Sequence, residues 1–435
     1  MLEIIGVVIF VLGLGLSIAL HEIGHLLPAK LFGVRVTQYM VGFGPTLWSR
    51  VKGETEYGVK AIPMGGYIRM IGMFPPNPDG TKPFDARGRF GTMIEEAREA
   101  SLAEIAPGEQ HRAFYRLSAP RKLVIMFGGP FMNLVLAFLI FSLSFGVIGW
   151  PNPSNTLNSV LACVPTDSNP SGIASTDGGC GTGQQTPAAQ AGLQPMDVVT
   201  AINGTNVIDW WGLRESIGVL PIVPLTVEFL RDGKSLTTRV NPIEYEIDDY
   251  NDDGSLTGSK RTVAFIGVTP GTQLNRQSLS TVPGFMSNMA IEGAKSLASF
   301  PINVARLGVG LFSNQERNPN GPVSVIGMGR ISGDIVGNDS QSAAIKLSSY
   351  LNLLASMNMF LFLFNLLPIL PLDGGHLAGA TFEGLRRVVR RLRGKTVSGP
   401  ADTARLLPLA YLVSFALIGM SLVVMIADII KPISV

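Results

Sequence analysis

Four stretches of the 435-residue chain, at about 2–28, 122–150, 347–372 and 405–430, are apolar over the roughly 20 residues that a helix needs to cross a hydrocarbon core. Backbone groups inside lipid must satisfy their hydrogen bonds internally, which restricts such runs to helices. A polytopic α-helical membrane protein with four transmembrane helices is therefore expected. The chain is 15% charged, against about 25% for soluble proteins. A formal net charge of +2, with acidic and basic residues interleaved, gives no basic field for nucleic acid. No basic residue precedes the first run and no small-residue cleavage site follows it, so it reads as a retained span rather than a signal peptide.

The third run is the least regular. Asn352, Ser356, Asn358 and Asn365 interrupt it, and Pro368 and Pro371 should break its helix near the end. Polar groups at membrane depth imply a face buried in protein or lining a wet cavity.

Orientation follows from the short connection after this run. Arg386, Arg387, Arg390, Arg391, Arg393, Lys395 and Arg405 are opposed there only by Glu383 and Asp402. By the positive-inside rule this connection is cytoplasmic. Residues 29–121 are then cytoplasmic too, and 151–346 extracytoplasmic.

The resulting division is a first span over 1–30, a cytoplasmic loop over 31–121, a second span over 122–150 and an outer domain over 157–270. An amphipathic helical segment over 271–346, a third span over 347–380, a basic cytoplasmic segment over 381–404 and a fourth span over 405–430 complete it. The cytoplasmic loop carries strand-like runs at Thr46–Val51, Thr55–Ile62 and Tyr67–Ile71. Gly53, Pro63, Gly65 and Gly66 look like turn residues between them, so membrane-associated β-hairpins are expected, with a helical patch near 92–105. The outer domain alternates strand-like runs (Asp197–Ile202, Leu225–Leu230, Lys234–Val240) with a helical one (Trp210–Val219), an α+β pattern. Residues 167–186 and 248–260 read as solvated loops. Cys163 and Cys180 lie on the outer side, where a disulfide between them is expected.

The chemistry concentrates in His21-Glu22-Ile23-Gly24-His25. Two imidazoles four residues apart share a helix face, with a carboxylate one position along: two metal ligands and a base for water. Such groups within an apolar span are costly, about 2.5 kcal/mol or more for an ionised side chain near the centre, and so demand a partner and a task. Catalytic zinc needs a third protein ligand and an open position. His111 lies in a polar stretch and His376 follows Asp373 by three residues. Spans one and three run in the same direction, and at about 1.5 Å rise per residue His21 reaches the depth of Asp373. Asp373 is the expected third ligand.

The HExxH motif, the distant Asn365-Leu-Leu-Pro and Leu372-Asp373-Gly374-Gly375, and the outer insertion together resemble the site-2 protease family of intramembrane zinc metalloproteases, its actinobacterial members most of all. The resemblance spans nearly the whole chain. It implies one zinc per chain held by His21, His25 and Asp373, with Glu22 as catalytic base and Asn365 positioning substrate. Gly42, Phe43, Gly44 and Pro45 match a family segment near the substrate-handling β-region, and Gly321-Pro322-Val323-Ser324 matches a segment of unassigned role. The outer domain resembles a PDZ domain, with Ala191, Gly192 and Leu193 as its carboxylate loop, serving either to bind a peptide or to exclude bulky substrates.

The implied activity is cleavage of transmembrane segments in the bacterial cytoplasmic membrane, near its cytoplasmic side. Implied substrates are single-pass membrane proteins such as anti-sigma factors, or remnant signal peptides, following an upstream site-1 protease. The residues themselves leave two rivals: a membrane zincin acting on soluble or misfolded proteins with a Glu as third ligand, and a non-enzymatic metal carrier.

Overall fold

A computed structural model describes residues 2–77, 89–166, 169–174, 179–181, 183–218, 222–250, 256–312, 317, 321–339, 341–395 and 399–433. Parts of the expected 167–186 and 248–260 loops lie outside these residues. Four described helices are long and apolar enough to cross a membrane, Leu2–Leu31, Ala119–Ile148, Ala343–Asn365 and Thr403–Ile430. The chain is thus a polytopic membrane protein that also carries β-sheets.

Helix α1 (Leu2–Leu31) bears the HExxH motif. Helix α3 (Ala119–Leu143) has Pro in its first turn, where a missing N–H costs nothing, and passes into a single π-helical turn at Ser144–Ile148. α1 and α3 approach backbone to backbone, since a Cβ on Gly128 would stand 2.0 Å from the Gly24 carbonyl oxygen.

The third apolar run is not one helix. α8 (Ala343–Asn365), capped by the Ser342 hydroxyl, stops at Asn365, and a turn containing the cis Leu370–Pro371 bond leads into α9 (Asp373–Leu392). α9 crosses the boundary expected at 380, because the prolines end the helix earlier and nothing interrupts it later. The polar residues of α8 face inward as anticipated: Asn358 donates to Ser17 Oγ at 3.0 Å, and Ser348 Oγ donates to the Gly149 carbonyl at 2.7 Å. α10 (Leu407–Ile430) is the last helix.

The first loop forms two long bent strands, β1 (Val36–Lys52) and β2 (Thr55–Met70), whose adjoining halves pair as a hairpin from Thr46↔Lys60 to Lys52↔Thr55, followed by α2 (Arg89–Ala103). Gln38 to Val41 face both Arg69 to Gly66 and Glu56 to Val59, so this part of β1 lies between the two halves of a bent β2. Glu56 to Val59 run along Gln38–Val41 in the same sense and Gly66 to Arg69 in the opposite one, so β2 reverses between Val59 and Gly66, in the stretch that holds Pro63 and Gly65. The bend in β1 falls at Gly42 and Gly44, whose φ angles of 94° and 83° need glycine.

The module between the second and third apolar helices contains β3 (Trp150–Val160), α4 (Pro187–Gln190), β4 (Val198–Ile202), β5 (Thr205–Asn206), α5 (Trp210–Ile217), β6 (Leu225–Arg231) and β7 (Lys234–Val240), then β8 (Ile243–Tyr250), β9 (Leu256–Phe265) and β10 (Val268–Asn275). Its main sheet runs β10-β3-β4-β6-β7 with β5 beside β4, and β8–β9 form a separate pair. Leu157, Ile202, Leu213, Val227 and Phe229 fill its core. Cys163 and Cys180 form a disulfide, with Cα atoms 5.6 Å apart.

The expected 271–346 segment holds two helices, α6 (Thr281–Gly310) and α7 (Val325–Gly337). Ser324, in the Gly321–Ser324 segment, caps α7 with its side chain. Asp428 of α10 accepts from the Ser324 amide at 2.7 Å and from Arg317 at 2.5 Å, and Arg317 also donates to the Pro322 carbonyl. The segment of unassigned role thus fastens α7 to α10. α7 meets α1 closely: Ser332 Oγ donates to the Gly6 carbonyl at 2.9 Å.

Candidate metal centre

His21 and His25 project from one face of α1 because four residues are a little over one helical turn. Their Nε2 atoms stand 3.3 Å apart, and Asp373 Oδ2, at the first position of α9, is 3.2 Å from each. Among the described residues this is the one group of three such side chains whose donor atoms converge. Donors about 2.0–2.1 Å from a zinc ion at tetrahedral angles stand about 3.3 Å apart, so the spacing fits that ion. The donor chemistry fits too, since two imidazole nitrogens and one carboxylate oxygen leave a fourth position open.

The far side of each imidazole sets its tautomer. His25 Nδ1 lies 2.7 Å from the Ile125 carbonyl oxygen, which can only accept. Nδ1 therefore carries the proton and Nε2 presents its lone pair to the centre. His21 Nδ1 lies 3.0 Å from the side-chain nitrogen of Asn133, while the Asn133 oxygen, fully buried, has no partner. Rotating this amide by half a turn places the oxygen against His21 Nδ1–H and directs the second Nε2 lone pair to the centre as well. The two orientations fit the same atomic envelope, and hydrogen bonding selects between them.

Glycine brings the helices together here. A Cβ on Gly129 would come within 2.1 Å of His25 Nε2, so α3 lies flat against the ring. Glu22 is 7% exposed, and among the described residues no side chain hydrogen-bonds to it. The nearest part of β2 is Gly66, on which a Cβ would meet Glu22 Cγ at 2.9 Å and the Met40 carbonyl oxygen at 3.0 Å. The bent sheet therefore reaches the carboxylate, and Tyr39 Oη ties it to the Ala19 carbonyl of α1 at 2.7 Å.

The other residues singled out by sequence divide. Asn365 ends α8, half-buried, and among the described residues its amide makes no hydrogen bond. Gly42 to Pro45 form the bend of β1, where Phe43 stacks on Tyr67 with ring centroids 6.3 Å apart. His376, three residues along α9 from Asp373, lines a small cavity with Lys122, Tyr115 and Glu383. His111 is exposed, on a short turn beside the Gly108 carbonyl.

Ala191, Gly192 and Leu193 do not offer a carboxylate loop in this conformation. Their amides donate to Pro187, Ala189 and Ala188 carbonyls at 3.0, 3.1 and 3.0 Å, closing the end of α4. Leu193 is buried in the module core. No free N–H remains there for a peptide terminus.

The family model described as "Peptidase family M50" matches residues 9–409. The chain is 33% identical to zinc metalloprotease Rip1 of Mycobacterium bovis BCG over 445 residues, covering 100% of this chain and 99% of that protein. It is likewise 33% identical to the Rip1 of Mycolicibacterium smegmatis, covering 99% and 98%. With zinc metalloprotease RasP of Bacillus licheniformis the identity is 25%, over 87% of this chain and 90% of the relative.

Proposed function

The chain belongs to peptidase family M50 and is an intramembrane zinc metalloprotease, and on that footing we propose that His21, His25 and Asp373 hold its zinc while Glu22 manages the protons of peptide hydrolysis. One observation carries the assignment: three donor atoms from α1 and α9 converge at 3.2–3.3 Å with a buried carboxylate one residue from His21. A zinc ion bound there supplies Lewis-acid activation of water and of the scissile carbonyl. Glu22 takes a proton from the attacking water and returns it to the departing amine. Asn133 and the Ile125 carbonyl orient the two imidazoles from behind, and such partners fix ligand direction and basicity. The unpaired amide of Asn365 is free to hold a substrate carbonyl.

The substrate is a transmembrane segment of a single-pass protein, with anti-sigma factors or remnant signal peptides as the candidate classes and trimming by an upstream site-1 protease. The location of His21 and His25 on a helix long and apolar enough to cross a membrane supports this reading. The enzyme acts in the bacterial cytoplasmic membrane, with the basic side cytoplasmic and the PDZ-like module outside. With the amides of residues 191–193 engaged internally, that module acts as a size filter on substrate ectodomains.

A helical substrate shields its amides through its own hydrogen bonds, so it must unwind before attack. The contact of Gly66 with Glu22 supports presentation of the unwound segment as an added strand beside β2, which would satisfy the exposed amides. Glu22→Gln tests the whole reading. The purified variant should keep its zinc and lose cleavage of a membrane substrate. Retention of cleavage would remove Glu22 from the mechanism, and absence of cleavage by the unaltered protein on every membrane substrate tried would favour a metal carrier.

A further inference from the structure

Helix α9 leaves the metal centre and ends in a segment whose apolar side is exposed among the described residues. Phe382, Leu385, Val388, Val389 and Leu392 are between 36% and 82% exposed. At about 100° per residue they form one arc of roughly 120°. The opposite side of the helix is docked: Ala380 and Glu383 are buried, Glu383 accepts from Lys122 of α3 at 2.7 Å and from the Ala401 amide at 3.1 Å.

A helix on a soluble surface turns its apolar stripe towards the protein. Here the stripe points about 170° away from the docked side, into whatever surrounds the molecule. A span within the hydrocarbon core would have this character on lipid-facing positions, but Arg386, which also donates to the Gly399 carbonyl at 2.6 Å, and Arg393 lie along one border of the arc. Arginine recurring within a turn of Leu385 and Leu392 fixes the level as the headgroup region rather than the core. Basic flanks beside an apolar arc complement anionic phospholipid headgroups, for which each residue of this kind near the surface contributes about 1 kcal/mol.

We propose that the outer face of α9, from Phe382 to Arg393, is an interfacial anchor that seats its apolar arc among acyl chains and its arginines on anionic phospholipid headgroups. The anchor is independent of the proton and metal roles assigned above, and its test needs no turnover.

The chain has no free cysteine, so a single introduced one reports one position. Full-length Leu385→Cys and Arg391→Cys proteins, labelled with an environment-sensitive fluorophore, are placed in nanodiscs of phosphatidylcholine with or without phosphatidylglycerol. Lipids brominated near the glycerol should quench the label at position 385 and leave position 391 accessible to aqueous iodide. Bound phosphatidylglycerol, counted by native mass spectrometry, should fall in Arg386→Gln/Arg393→Gln, with the preference over phosphatidylcholine dropping about fivefold per arginine. Quenching at 385 by neither lipid bromine nor iodide would mean that a protein, a second copy or another chain, covers the face, and would overturn the proposal. So would equal lipid quenching at both positions, or a lipid preference unchanged in the double arginine variant.

Discussion

The side-chain amide of Asn133 on α3 lies 3.0 Å from Nδ1 of His21 on α1, with its oxygen buried and unpaired. If the oxygen is the atom that accepts from His21, an acceptor at position 133 suffices. Asn133→Asp should then keep zinc, and Asn133→Leu should weaken zinc binding about 10- to 100-fold in chelator competition, as loss of an outer partner to a ligating histidine does. If Asn133→Asp loses zinc as fully as Asn133→Leu, the amide donates instead and the tautomer assigned to His21 is wrong.

Legibility of this site in the sequence followed the length scale of each signal. The spacing of His21, Glu22 and His25 is local, so a motif captured it. Asp373 is 348 residues from His25, yet matching depth in two spans was enough to pair them, because a bilayer orders helices along one axis. Asn133 has neither cue: it is a single polar residue in an apolar run, and only its partner on another helix gives it meaning. Gly65 and Gly66 carried only part of their meaning. Their composition signals the reversal of β2, but only the fold shows that no side chain fits at Gly66 between Glu22 and the Met40 carbonyl. The carboxylate loop at 191–193 matched in letters, but its amides had already been used to close α4.

Gly129 should be as necessary as the ligands themselves. A methyl group there would overlap the His25 ring, 2.1 Å from Nε2, whereas a Cβ on Gly15 meets nothing within 4 Å. Gly129→Ala should lower zinc content several-fold while the protein still extracts and migrates as a folded monodisperse species, and Gly15→Ala should leave both unchanged. Full zinc occupancy in Gly129→Ala would show that α3 can retreat from the ring without cost.

Lys122 and Glu383 join α3 to α9 through a bond of 2.7 Å, with side chains only 6% and 2% exposed. Removing Glu383 leaves Lys122 an uncompensated buried charge, at a cost of about 3–5 kcal/mol, whereas removing Lys122 leaves Glu383 its pair with Arg387. Glu383→Met should therefore melt well below the unaltered protein in detergent. Lys122→Met/Glu383→Met should recover part of the loss, although Glu383 also holds Arg387 and the Ala401 amide. A double variant less stable than the sum of the two single changes would contradict a direct pair.

The Cys163–Cys180 bridge closes a separation of 17 residues, a loop for which chain entropy predicts about 3 kcal/mol of stabilisation. Cys163→Ser/Cys180→Ser should lower the melting temperature of the outer module and leave zinc content untouched, since the bridge lies in a different part of the chain from the ligands. Loss of zinc in that variant would reveal a coupling between module and metal that no described contact provides.

Strand presentation of the substrate rests on Gly66 and its contact with Glu22. A side chain at this position must push either the carboxylate or β2 aside, because the neighbours at about 3 Å include backbone, the Met40 carbonyl oxygen. Gly66→Ala should therefore reduce cleavage about tenfold or more, the scale of a 1 Å misplacement of a reacting group, while zinc stays bound. Presentation as a strand requires the substrate helix to unwind first, so glycine or proline introduced near the scissile bond of a substrate span should speed cleavage by the unaltered enzyme. The two effects should combine in a particular way. A pre-unwound substrate should not rescue Gly66→Ala, because the defect lies in the position of Glu22 and the strand beside it rather than in helix opening. Full rescue would place the role of Gly66 in unwinding, and indifference of the rate to substrate helicity together with normal cleavage by Gly66→Ala would eliminate strand presentation altogether.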